Sequence, residues 1–150
     1  MKSIVATAVL ALALTGAAHA NPAAEARALY DRFVAAENAN DFDAVRSVLL
    51  DSPQFLWVTN GLSIWGREAA VRRMADYHTA EIWHIQPDDA KAVAVEVNSK
   101  TSFLHVPLEL EIGSRADGPD HFRFLISALC VATPQGWRIA ALFTTTENRE

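Results

Sequence analysis

Four histidines lie beyond residue 20, at His78, His84, His105 and His121. Imidazole is the side chain that most readily exchanges protons near neutral pH, so these are the first candidates for acid–base chemistry. None forms an HExxH pattern or another ligand pair at helical spacing, and Cys130 has no neighbouring cysteine or histidine. No metal site is expected from such spacing, and no cofactor either, since no Gly-rich phosphate loop occurs. A serine-nucleophile elbow is also missing. His78 and His84, which flank the end of a predicted helix, are the candidate general bases.

The carboxylates give less. Asp31 follows Tyr30 on a predicted helix and points to solvent, while Asp51 precedes Pro53 in a turn. His105, Glu109 and Glu111 share one face of a predicted strand. The opposite face carries Leu104, Val106, Leu108, Leu110 and Ile112, which is the natural core side. The polar trio is therefore expected outside, because charged groups are rarely buried without partners. Cys130 reads as a small buried strand residue, with no disulfide possible inside one chain.

The elements that must position these groups follow from periodicity. Asn21-Pro22 opens a helix whose buried stripe is Ala26, Leu29, Tyr30, Phe33 and Val34. A short second helix buries Phe42, Val45, Val48 and Leu49. Two strands, 54–59 and 62–65, flank the hairpin turn Asn60-Gly61. A third helix, 67–78, packs on Val71, Met74 and Tyr77. Residues 80–89 carry no clear period. Strands follow at 92–97, 101–112, 121–132 and 137–145, the last after the turn Pro134-Gln135-Gly136. Helices clustered ahead of a run of strands predict an α+β domain.

The amino terminus reads as a secretory signal over residues 1–20. Lys2 is followed by an apolar run from Ile4 to Leu14 and by the small-x-small pattern Ala18-His19-Ala20. The run is too short to cross a bilayer, which takes about 20 helical residues. The expectation is a cleaved leader, a periplasmic or secreted product, and one domain over 21–150 without a membrane anchor. The whole chain carries a net charge of −5, and Lys2 is the one Lys, Arg, Asp or Glu in the leader, so the remainder is more acidic still. That balance disfavours nucleic acid as a partner.

Taken together, Phe33-Val34-Ala35-Ala36 through Asn40-Asp41-Phe42-Asp43, the Gly66-Arg67-Glu68-Ala69 entry to helix three, and Gly136-Trp137-Arg138-Ile139 resemble the nuclear-transport-factor-2-like superfamily. Within it, the SnoaL-like and ketosteroid-isomerase-like branches are most similar. The resemblance implies three N-terminal helices on a strongly curved antiparallel sheet, a cystatin-like cone with an apolar cavity at its open end. It does not imply one function, because members of such a superfamily differ in their chemistry. The ketosteroid isomerases use a carboxylate base with a tyrosine and a protonated aspartate as oxyanion donors. By this resemblance the tyrosine position falls on Phe33, the base at or beside Trp57, and the acid near Ser127 or Ala128, so that route is lost.

Four tryptophans stand out, Trp57, Trp65, Trp83 and Trp137. Trp137 is expected to pack beneath helix one. Trp57 with Phe33, Trp65, Tyr77 and Phe143 would wall a pocket for a small apolar molecule, with His84 or Asn60 as polar handle. The same aromatics could equally fill a core. A lyase or isomerase using His78 or His84 is the alternative function. A homodimer or partner-docking module through the outer sheet face, with Phe103, His105 and Arg123, is another.

Overall fold

The computed structural model describes residues 21–148 of the 150-residue chain, so the predicted leader lies outside the described residues. Helix α1 (Pro22–Asn38) begins where expected: the Asn21 side chain accepts from the Ala23 and Ala24 N–H groups, and Pro22 occupies the first turn. It ends at Asn38, and two residues on Asn40, with a left-handed φ of 55°, turns the chain. Asp41 then caps α2 (Phe42–Val48) by accepting from Ala44 N–H. The expected stripe of α1 is buried, and Glu37 one turn beyond Phe33 is buried with it.

Strands β1 (Leu56–Thr59) and β2 (Leu62–Trp65) close over Asn60-Gly61, both with positive φ as a type I′ turn demands. Gly66, at φ 85°, leads into α3 (Arg67–Tyr77). The segment without a clear period contains β3 (Ile82–Pro87). Then come β4 (Val93–Asn98), β5 (Thr101–Ser114), β6 (Gly118–Thr133) and β7 (Gly136–Thr146).

The seven strands form one sheet in the order β2-β1-β7-β6-β5-β3, with β4 also on β5. Its class is α+β, as expected, but one pair departs from an antiparallel sheet. β1 runs parallel to β7, Trp57 standing opposite Leu142, because α3 and the later strands separate the two in sequence. The helices cover one face, α1 lying across β3, β4, β5 and β7. Between them sits the core, including Leu29, Val45, Phe55, Leu104, Ile139 and Cys130. Trp137 is buried in it.

Burial pushes the Cys130 thiol up to about 12. The thiolate is the reactive form. Native protein at pH 8 is therefore expected to leave a disulfide reagent unreacted over hours, with full labelling once urea unfolds it. Fast labelling of the folded chain would contradict the burial of this residue.

Candidate functional site

A cavity of about 440 Å³ opens between the helices and the concave face of the sheet, within the range of small-molecule sites. Two helices and five strands build it. α1 supplies Tyr30, Phe33 and Glu37, and the β1 region supplies Trp57, Thr59 and Asn60. Met74 and Tyr77 come from α3. Trp83 and Ile85 come from β3, and the long strands add Leu108, Leu110, Ile112, Phe124 and Ile126. The walls are thus mostly aromatic and aliphatic, and local order is fixed by directed contacts. The Trp57 ring meets Tyr77 edge-on with centroids 6.1 Å apart, and its Nε1 donates to Thr144 Oγ1 at 3.1 Å. The Arg73 guanidinium lies over the Tyr77 ring, 4.6 Å from its centroid. Asn60 donates a long hydrogen bond of 3.4 Å to the Tyr77 hydroxyl.

At one end of this apolar space stands an ionisable pair. His78 Nε2 lies 2.7 Å from Glu37 Oε2, with side chains only 2% and 4% exposed. The other ring nitrogen contacts Asn40 Oδ1. Both ring nitrogens are thus engaged by polar side chains. Trp83 lies against one face of the imidazole, centroids 3.9 Å apart, and Phe42 meets it edge-on at 5.0 Å. Two buried side-chain atoms have no partner among the described residues: Glu37 Oε1 and Trp83 Nε1. Each costs about 1–3 kcal/mol if left so, which makes the pair of them unusual at the wall of a cavity. The Tyr30 hydroxyl, two turns before Glu37 on α1, is pushed up by burial and then by the coulombic influence of Glu37 and Asp31.

Among the residues read from sequence as ligand contacts, Phe33, Trp57, Asn60 and Tyr77 border the cavity. Trp65, His84 and Phe143 do not. Trp65 pairs with Leu56, the neighbour of inward-facing Trp57, and is 59% exposed on the convex side. His84 lies between inward-facing Trp83 and Ile85, so alternation turns it out towards Glu111. Phe143 lies between inward Leu142 and Thr144 and is 40% exposed. Of the two candidate bases, only His78 reaches the site, and it does so through Glu37.

The polar trio of β5 faces outward as expected. His105 contacts Ser127, and Glu109 and Glu111 gather with His121 of β6, their ligand-capable atoms within 4.8 Å of one another. The hydrogen bond from His121 Nδ1 to Glu109, at 2.9 Å, holds the imidazole above its ordinary value. A raised His contributes stability fully below its unfolded value and loses it as pH rises through the folded one. An NMR titration of the His121 ring should therefore show a midpoint above that of a free histidine. Glu109→Gln should bring it back down. No change on that substitution would show that the contact does not form in solution.

The cone of helices and bent sheet around an apolar hollow is that of the nuclear-transport-factor-2-like superfamily. More particularly, the profile of the SnoaL-like domain matches residues 26–142, and the chain belongs to that family. No curated protein matches the sequence. Solved structures similar to it include an uncharacterised Caulobacter vibrioides protein with a cystatin-like fold, at 18% identity and TM-score 0.73, covering 85% of this chain and 90% of that one. A Salmonella enterica member of the nuclear transport factor 2 superfamily gives 14% identity and TM-score 0.74 over 84% and 91% of the two chains. A Nostoc punctiforme domain of unknown function gives 14% and 0.70 over 85% and 78%. At these identities the likeness concerns the fold alone.

Proposed function

We propose that this protein binds a small, largely apolar molecule in the cavity under α1. The observation that carries this reading is a hollow of about 440 Å³ with mostly aromatic and aliphatic walls. A side-chain-filled core would close such a volume. Thermal unfolding with toluene and p-cresol tests it. A ligand at 100 times its Kd adds about 2.7 kcal/mol, a readable rise in Tm. Leu110→Trp, placed on the wall, should abolish the rise; a rise that survives it would move the binding elsewhere.

A second reading is an isomerase or lyase, favoured by the buried Glu37–His78 pair. A carboxylate held by an imidazole beside an N–H donor is equipped to move a proton next to a carbonyl. Cyclohexanone in deuterated buffer separates the two readings. Exchange of its α-protons above the buffer rate, lost in His78→Asn with binding retained, supports catalysis; its absence supports carriage.

Two further expectations belong to the same reading. The leader-like 1–20 segment supports export, which cell fractionation would test. The outer sheet face supports a homodimer. Val95, Phe103, Leu129, Ala141, Leu56 and Trp65 stand opposite one another in a single row across six strands. Several of them are widely exposed, as is nearby Phe143. Light scattering should give a dimer that Phe103→Glu converts to a monomer of unchanged helicity.

A further inference from the structure

We infer that Glu109, Glu111 and His121 form a binding site for a divalent transition metal of the zinc class on the convex face of the sheet, with His84 as its fourth donor. The site is independent of the cavity, which lies on the other face of the same strands. Sequence spacing gives no sign of it, because its donors meet only through strand pairing. Leu108, Leu110 and Ile112 take the cavity wall, so alternation sends Glu109 and Glu111 outward together. On β6, His121 stands directly opposite Glu111, and on the other side of β5 His84 stands opposite it too. A histidine, a glutamate and a histidine thus form a row across three adjacent strands, with Glu109 two residues along β5.

The distances suit a chelating set. His121 Nδ1 lies 2.9 Å from Glu109 Oε1 and 3.8 Å from Glu111 Oε1. Donors bound to one zinc ion at about 2.0–2.2 Å stand about 2.8–3.6 Å from one another, so a small rotation of the Glu111 side chain completes the triangle. The metal takes the place of the Nδ1 hydrogen. Charge points the same way. The positions flanking the two carboxylates hold His84, His121, Gln86 and Arg123. Arg123 is the fixed cation among them, and its Nε is given to Glu147 at 2.7 Å. A single imidazolium balances one carboxylate, whereas a divalent ion balances both. Imidazole beside carboxylates suits zinc and its neighbours, while calcium and magnesium take sets of oxygen alone. The three converging side chains are 31–53% exposed, so an ion can reach them from solvent. Glu109 lies six residues along β5 from Phe103, about 20 Å, so the apolar row does not cover the site.

Zinc alone is the probe, titrated into the full untagged chain at pH 7 against a chromogenic chelator. The expected result is one ion per chain with a Kd of about 10 μM or tighter. His121→Ala, Glu109→Gln, Glu111→Gln and His84→Ala should each weaken it about tenfold or more, since even the outer neighbour of a metal ligand is worth about 10–100-fold. Circular dichroism checks that each variant is folded, as substitutions of exposed side chains should be. Unchanged affinity in His84→Ala would strike the fourth donor, and unchanged affinity in His121→Ala would overturn the site outright. So would the lack of saturable zinc binding. Displacement of zinc by millimolar calcium would also overturn it, in favour of an ordinary acidic surface.

Discussion

Replacing His78 with alanine is expected to lower the unfolding free energy by about 3–5 kcal/mol, because it strips a buried carboxyl group of its hydrogen-bond partner and removes a packed ring. The geometry says why the loss should be large. Among the described residues Glu37 Oε1 has no partner already, and Oε2 relies on His78 Nε2 at 2.7 Å. Deleting the imidazole leaves a carboxylate that is almost wholly sheltered from water with neither oxygen satisfied. The ring's contacts with Trp83 and Phe42 vanish as well. For a domain whose total stability is of order 5–15 kcal/mol, that is a large fraction. Urea unfolding with unchanged m value is the measurement.

The double replacement Glu37→Met with His78→Phe should behave differently. It removes both polar groups at similar volume, and apolar substitutes for a buried pair are often neutral. Its stability is expected within about 1 kcal/mol of the parent. A fold that tolerates the double change while losing p-cresol binding would show that the pair is kept for its chemistry. If His78→Ala alone proves harmless, the pair is solvated in solution and the site described above is not sheltered.

The helical part of this site was legible because its signals are local. The cap at Asn21, the stripe from Ala26 to Val34 and the Asn60-Gly61 turn each depend on neighbours within a few positions. What sequence reading missed is the extension of that stripe. Tyr30, Phe33 and Glu37 follow one another at helical spacing, so a charged residue on a buried face was there to be noticed. His84 failed as a handle because its strand has no clear period, and only pairing of Ile85 with Leu110 fixes which way it faces.

Phe143 shows a subtler cause. Counting by twos from buried Trp137 and Ile139 would turn Phe143 inward. The β6–β7 pairing shifts, however, with Leu129 opposite Ala141 and Cys130 opposite Ile139, so Ala140 is an extra residue. A bulge of one residue reverses the parity of all that follows. Leu142, Thr144 and Thr146 therefore take the wall, and Phe143 joins the convex row. Nothing in the composition of the strand announces the bulge.

The other large effect separates core from cavity wall. Leu29→Ala is expected to cost roughly 3–5 kcal/mol, because Leu29 is fully buried in the core and its removal opens a new hole. Ile112→Ala should cost only about 1 kcal/mol, although the same kind of carbon is deleted. Ile112 is half-buried and already borders the open volume of the cavity, so truncation enlarges an existing space rather than breaking close packing. The measurement is the midpoint of urea unfolding for the two variants, with far-UV circular dichroism to confirm that each remains folded. Ile112→Ala should also loosen toluene binding without unfolding the chain, whereas Leu29→Ala should shift stability first. Equal penalties for the two would mean that side chains fill the hollow under α1 in solution, and a ligand would then have to compete with the protein's own core for that space.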